Sequence, residues 1–188
     1  MGRKKEELEK LKKEMEEDAG LPLYGTANLV FGEGSEDAEI LFIGEAPGRR
    51  EDELCRPFVG QSGKLLDKML VKINLPRERV YITNIVKRRP PENRDPFPEE
   101  IEAYTPYLQK QIDIIKPVMI ATLGRFSMNY FLPEAKISHD HGKATRINSY
   151  ILVPLYHPAA ALRSGKMFKE LEKNFLELPQ LLKDAKTA

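Results

Sequence analysis

Apolar positions along the chain fall into two kinds of run. Unbroken stretches occupy Ile40 to Ile43, Val80 to Val86, Val118 to Leu123 and Tyr150 to Leu155, as expected of short strands covered on both faces. Elsewhere the apolar positions recur every three or four residues. Glu6 to Glu17 carries Leu8, Leu11 and Met15 among Lys and Glu, and Gln61 to Val71 carries Leu65, Leu66 and Leu70. Glu99 to Ile115, opened by Pro96 and Pro98, carries Ile101, Leu108, Ile112 and Ile115, and Lys166 to Lys183 carries Phe168, Leu171, Phe175, Leu178 and Leu181. Each of these spacings predicts a helix with one buried face. Residues 18 to 37, rich in Gly, Pro, Asn and Ser, read as loop with a short strand at Leu29 to Phe31. Strands alternating with helices imply an α/β fold whose mostly parallel sheet is covered on both faces. Neither an internal repeat nor a linker interrupts the pattern, which predicts one domain over residues 1–188.

Composition narrows the function classes without choosing one. A length of 188 residues with 41% hydrophobic content suffices for a full core. Thirty Lys and Arg against 29 Asp and Glu leave a net charge of +1, so any polyanion-binding surface must be local. The single cysteine, Cys55, excludes an internal disulfide and a metal site of several thiolates. The charged start resembles no signal peptide, and no run approaches the roughly 18 apolar residues of a membrane span, so a soluble, cytoplasmic protein is expected.

Candidate chemistry gathers where the strands end, because in a parallel sheet those ends share one rim. Gly44-Glu45-Ala46-Pro47-Gly48 closes the first strand with stiff backbone and free N–H groups. Asn84 lies inside an apolar strand, where its amide needs partners or costs roughly 1 to 3 kcal/mol. It serves equally a structural hydrogen bond or the donor–acceptor edge of a pyrimidine. Phe58, in Arg56-Pro57-Phe58-Val59-Gly60, suits either the core or a ring stacked on a base. His157 follows the last strand and is stiffened by Pro158; a lone histidine is more often structural than catalytic. Lys87-Arg88-Arg89, with Arg94, Arg125 and Arg163, gives the rim a basic margin, which is either a solvated surface or a set of phosphate contacts.

Together these stretches resemble the uracil-DNA glycosylase superfamily, and within it the family 4 enzymes of bacteria and archaea. The matching segments are Gly44 to Gly48, Glu51-Asp52, Arg56 to Leu66, Val80 to Lys87, Arg89 to Pro91, Asn93-Arg94, and His157-Pro158 through Leu162-Arg163. The resemblance implies a three-layer α/β/α sandwich around a four-stranded parallel sheet. It implies hydrolysis of the N-glycosidic bond of deoxyuridine in single- or double-stranded DNA, by a monomer acting in base excision repair. Phe58 would stack on uracil, Asn84 would read its edge, and the backbone at Glu45 and Ala46 would contact the base. Glu51 would fill the space beside C5, and His157 would stabilise charge on the departing uracil. Glu45 or backbone groups would orient water, since Ala46 offers no polar side chain. Gln61, Ser62, Lys87, Arg89, Arg94, Arg125, Leu162 and Arg163 would contact the DNA. The alternative is a catalytically inactive relative that only binds DNA or uracil.

Two departures from the family pattern stand out. Family 4 enzymes usually hold a 4Fe–4S cluster on four cysteines, and the corresponding positions here are Asp18, Leu21, Arg88 and Tyr104. No cluster is therefore expected. Leu21 and Tyr104 would form an apolar plug there, with an Asp18–Arg88 ion pair at its edge. The position expected to wedge into the gap left by a flipped base reads Ala161, next to Leu162, which favours single-stranded substrate.

Overall fold

A computed structural model describes residues 2–187. In chain order the elements are α1 (Arg3–Glu17), β1 (Glu33–Gly34), β2 (Ile40–Gly44), α2 (Arg49–Leu54), α3 (Gln61–Lys72), β3 (Tyr81–Asn84), α4 (Pro98–Ile115), β4 (Met119–Leu123), α5 (Arg125–Phe131), α6 (Ile137–Asp140), β5 (Thr145–Ile147), β6 (Tyr150–Leu155), α7 (Pro158–Ala161) and α8 (Gly165–Thr187). The sheet has six strands in the order β1-β3-β2-β4-β6-β5. Its centre, β3-β2-β4-β6, is parallel and matches the four apolar runs.

The two edges were not legible. β1 pairs antiparallel with β3 and β5 antiparallel with β6. Both are too short and too polar to stand out from loop by periodicity. The strand expected at Leu29 to Phe31 is absent; that segment is buried, joined to Lys87 by Val30 N–H donating to its carbonyl at 2.8 Å, and pairing starts later, at Glu33. Helix α2 was also missed, because its six residues, RREDEL, carry no buried position.

Each central strand is buried along its whole length, which explains its unbroken apolar sequence. On one face Leu41, Ile43, Tyr81, Ile120 and Leu152 pack with Leu8, Leu11 and Met15 of α1 and Tyr104, Leu108, Ile112 and Ile115 of α4. On the other, Ile40, Phe42, Ile82, Ala121, Val153 and Leu155 meet Leu66 and Leu70 of α3 and Leu171, Phe175 and Leu178 of α8. Phe42 and Phe175 stack there with centroids 5.7 Å apart. Among the described residues no helix is long and apolar enough to cross a membrane.

The chain runs from β2 to β3 on one side, then crosses to β4 on the other side of β2. That reversal opens a crevice at the carboxyl ends of the strands, where the loop Gly44 to Gly48 leaves β2.

Candidate active site

A cleft of about 650 Å³ lies at this crevice, and its walls include Glu45, Ala46, Glu51, Phe58, Gln61, Ser62, Asn84, Arg94, Arg125, His157 and Arg163. The structure thus brings the expected base-facing residues together, from the ends of β2, β3 and β6. Each is held by backbone contacts that the sequence does not advertise.

Phe58 sits in the left-handed region, at φ 50°, a conformation that a bulky residue holds only when its surroundings impose it. Two clamps do so. Arg77 donates to the Phe58 carbonyl at 3.0 Å and to the Pro57 carbonyl, while pairing with Asp67 at 2.9 Å and Glu33 at 2.6 Å. From the opposite side Glu51 Oε1 accepts the N–H groups of Val59 at 2.9 Å and Gly60 at 2.7 Å. Helix α3 comes so close that a Cβ at Gly63 would lie 1.8 Å from the Phe58 oxygen. Gly44 is needed for the same reason: a Cβ there would meet Asn84 Oδ1 at 2.4 Å and the Phe58 ring at 2.5 Å.

Asn84 ends β3 with 2% exposure, and its Oδ1 has no hydrogen-bond partner among the described residues. A buried acceptor left orphaned costs about 1 to 3 kcal/mol, so a ligand donor at this point recovers what folding loses. The backbone of Asn84 is fixed from behind by Lys87, which corrects one expectation. Lys87 is no phosphate-binding cation; it is fully buried and donates to Thr83 Oγ1 at 2.6 Å, the Asn84 carbonyl at 2.7 Å and Gln111 Oε1 at 2.6 Å. Desolvation holds its ammonium pKa well below the ordinary lysine value. The sequence placed it in a basic loop because its neighbours are arginines; the turn after β3 sends it inward.

His157 is the N-cap of α7, and its Nδ1 accepts the N–H of Ala159 at 3.0 Å. A neutral ring used this way carries its proton on Nε2. Burial lowers its pKa to about 4, against a smaller opposing effect of the Glu51 charge. Its ring lies 5.8 Å from that of Phe58, centroid to centroid. Glu45 is half-buried, and burial, followed by the negative charge of Asp95, raises its pKa to about 7 despite the opposing Arg125 guanidinium. Asp95 is a site residue the sequence reading passed over, since a lone aspartate in a Pro-rich loop carries no signal of its own.

The basic margin is more engaged than the sequence suggests. Arg94 forms a bidentate pair with Glu100 and lies over the Phe97 ring at 3.7 Å; Arg125 pairs with Asp95 at 2.9 Å; Arg89 donates to Asn93 at 2.6 Å. Arg163 is exposed at the cleft without an ion-pair partner among the described residues. Gln61 and Ser62 open α3 at the cleft wall, where unpaired helix N–H groups favour an anion. Ala161 is buried in the core, so it is not the wedge; Leu162 beside it is 51% exposed.

The four positions that the resemblance assigns to cluster ligands present no thiolate, and Cys55 is exposed in the turn after α2. These donors do not fit an iron–sulfur cluster. Leu21 and Tyr104 do share one apolar cluster, and the Tyr104 hydroxyl donates to the Pro22 carbonyl at 2.7 Å. The Asp18–Arg88 ion pair is not formed. Asp18 accepts the Tyr107 hydroxyl at 2.6 Å, while Arg88 donates to the Ala27 carbonyl at 2.8 Å and faces the Tyr24 ring. Two tyrosines and an arginine tie the loop down where charge pairing was expected.

A switch-point cleft in an α/β sheet, walled by an aromatic ring, an amide with an unpaired oxygen and a fixed imidazole, has the chemistry that suits one planar polar ring. A family model described as the Uracil DNA glycosylase superfamily matches residues 31–182. The type-4 uracil-DNA glycosylase of Sulfurisphaera tokodaii is 46% identical over 187 residues, covering 93% of this chain and 84% of that one. That of Archaeoglobus fulgidus is 45% identical over 163 residues, 82% of each chain, and that of Saccharolobus solfataricus 46% over 165, covering 82% and 76%. The chain belongs to the uracil DNA glycosylase superfamily.

Proposed function

We propose that this chain is a uracil-DNA glycosylase that removes uracil from DNA as a single-domain monomer. The observation that carries the reading is the orphaned Oδ1 of Asn84 beside the Phe58 ring. Uracil lying on Phe58 offers N3–H to Asn84 Oδ1 and takes the amide N–H at its O4, which satisfies both groups. Cytosine presents the reverse pattern at that edge, which the amide in this orientation does not match. Glu51, fixed by the N–H groups of Val59 and Gly60, walls the cleft beside the ring and rejects a C5 methyl.

The reaction follows from this placement. A base inside a duplex is out of reach, so the nucleotide turns out of the stack into the cleft. Gln61, Ser62 and Arg163 hold phosphates, joined by Arg89, Arg94 and Arg125 where they face the DNA, and Leu162 takes the vacated space. The glycosidic bond breaks with its electron pair leaving on uracil N1, and the charge spreads to O2. Nε2–H of His157 donates to O2; being neutral already, it stabilises the anion without giving up its proton. The sugar becomes oxocarbenium-like and water adds at C1′, its proton passing to the Glu45 carboxylate. Ala46 contributes backbone only.

Incubation with a uracil-containing oligonucleotide, followed by alkali, tests the reading. Strand scission at the uracil is expected from catalytic amounts of protein. Uncut DNA would overturn it and leave a binding protein.

A further inference from the structure

The cleft is larger than one pyrimidine requires, and part of its wall has no role in the scheme above. Tyr156, immediately before His157, is one such lining residue, as are Phe126, Ile137 and Met167, and Arg163 lines the same cleft. Tyr156 is partly buried, and a second ring packs against it. The His141 ring packs against it with centroids 4.5 Å apart and a 37° tilt. His141 is in turn fixed by its Nδ1 at 2.8 Å from the Oδ1 of Asn174, a side chain of α8 that is only 5% exposed. Gly142, at φ 78°, leaves room for that amide: a Cβ there would lie 2.2 Å from Asn174 Nδ2. The Gly142 N–H donates to the Pro154 carbonyl at 2.7 Å, closing the brace onto the strand that carries Tyr156. A partly buried imidazole and a buried amide from two segments thus pack together behind one aromatic ring at the cleft wall.

We propose that Tyr156 is a stacking platform for the nucleotide next to the one in the pocket, with Arg163 taking its phosphate. Aromatic faces bind any base by stacking, which suits an enzyme that must act in every sequence context. Tyr156 adjoins His157 in the chain and lines the same cleft as Phe58, which puts its ring within the reach of a neighbouring nucleotide. His141 and Asn174 are positioning residues that act through Tyr156. The inference rests on the glycosylase reading for its register but has its own readout.

An oligonucleotide with 2-aminopurine placed on either side of a non-cleavable uracil analogue reports stacking by loss of emission. Wild-type protein and Tyr156→Phe are expected to quench the probe on one flank. Tyr156→Ala and Tyr156→Leu, the second chosen to keep the strand end filled, are expected to lose most of that quenching. His141→Ala is expected to lose part of it. On cleavable single strands, Tyr156→Ala should raise KM about tenfold with a much smaller change in kcat. Absence of quenching by the wild type on both flanks, or equal quenching by Tyr156→Leu, overturns the platform. A wild type that quenches yet releases no uracil would overturn the glycosylase reading and leave the platform standing.

Discussion

The Nδ1 of His157 accepts the backbone N–H of Ala159 at 3.0 Å, so the ring's one proton sits on Nε2 and faces the cleft. A neutral donor with a pKa of about 4 does not titrate near neutral pH. His157→Ala is expected to lower kcat by about 10²- to 10³-fold, the usual cost of one lost anion-stabilising donor. Single-turnover rates on a uracil oligonucleotide measure it, and near-normal turnover would remove the role.

With Glu45 as the acceptor of the water proton, the acid limb of the rate is expected from its titration. With a pKa of about 7 it is protonated below neutrality and ionised above, so log kcat should rise with slope near one and level off beyond about pH 7. Glu45→Gln should flatten the profile at a low rate. A wild-type profile already flat from pH 5 to 8 would show that Glu45 takes no proton.

Stability has its own pH dependence at His157. The folded ring has a pKa of about 4 against 6.5 unfolded, so between those values the unfolded chain binds a proton that the folded state refuses. Stability from this group is full above pH 6.5 and is lost as pH falls toward 4. For His157→Gln the melting temperature should decline less over that window.

Arg77 holds Phe58 by its carbonyl, and its fork cannot be matched by an ammonium. Arg77→Lys is expected to raise KM several-fold. Its effect should fall away when Phe58 is already leucine, with a coupling of about 0.5 to 3 kcal/mol in the double-mutant cycle. Strict additivity would make Arg77 a general staple with no part in placing the ring.

Purified protein should contain no stoichiometric iron and no visible cluster absorbance, because Asp18, Leu21, Arg88 and Tyr104 supply no thiolate. Tyr104→Phe removes the hydroxyl that holds the Pro22 carbonyl and should cost about 0.5 to 1.5 kcal/mol by denaturant unfolding. Iron at one cluster per chain would overturn the ligand assignment.

Leu162 carries the expected difference between duplex and single strand. Leu162→Ala should lower kcat/KM on duplex DNA roughly tenfold, since the wedge offsets lost stacking, and change single-strand cleavage little. An equal effect on both substrates would place Leu162 outside the wedge role.

The sequence by itself determined the four parallel strands, because burial on both faces demands unbroken apolar runs, and the long helices, because one buried face demands a 3.6-residue period. It also determined which strand ends carry Gly44, Asn84 and His157, since the order of elements fixes which loops share a rim. Only the tertiary structure decided what those residues can do. The inward turn of Lys87, the clamps of Arg77 and Glu51 on the Phe58 loop and the raised pKa of Glu45 all depend on groups distant in the chain or on burial. Periodicity records which side of an element faces the core. It holds no record of which donor meets which acceptor, and a polar site is made of those pairings.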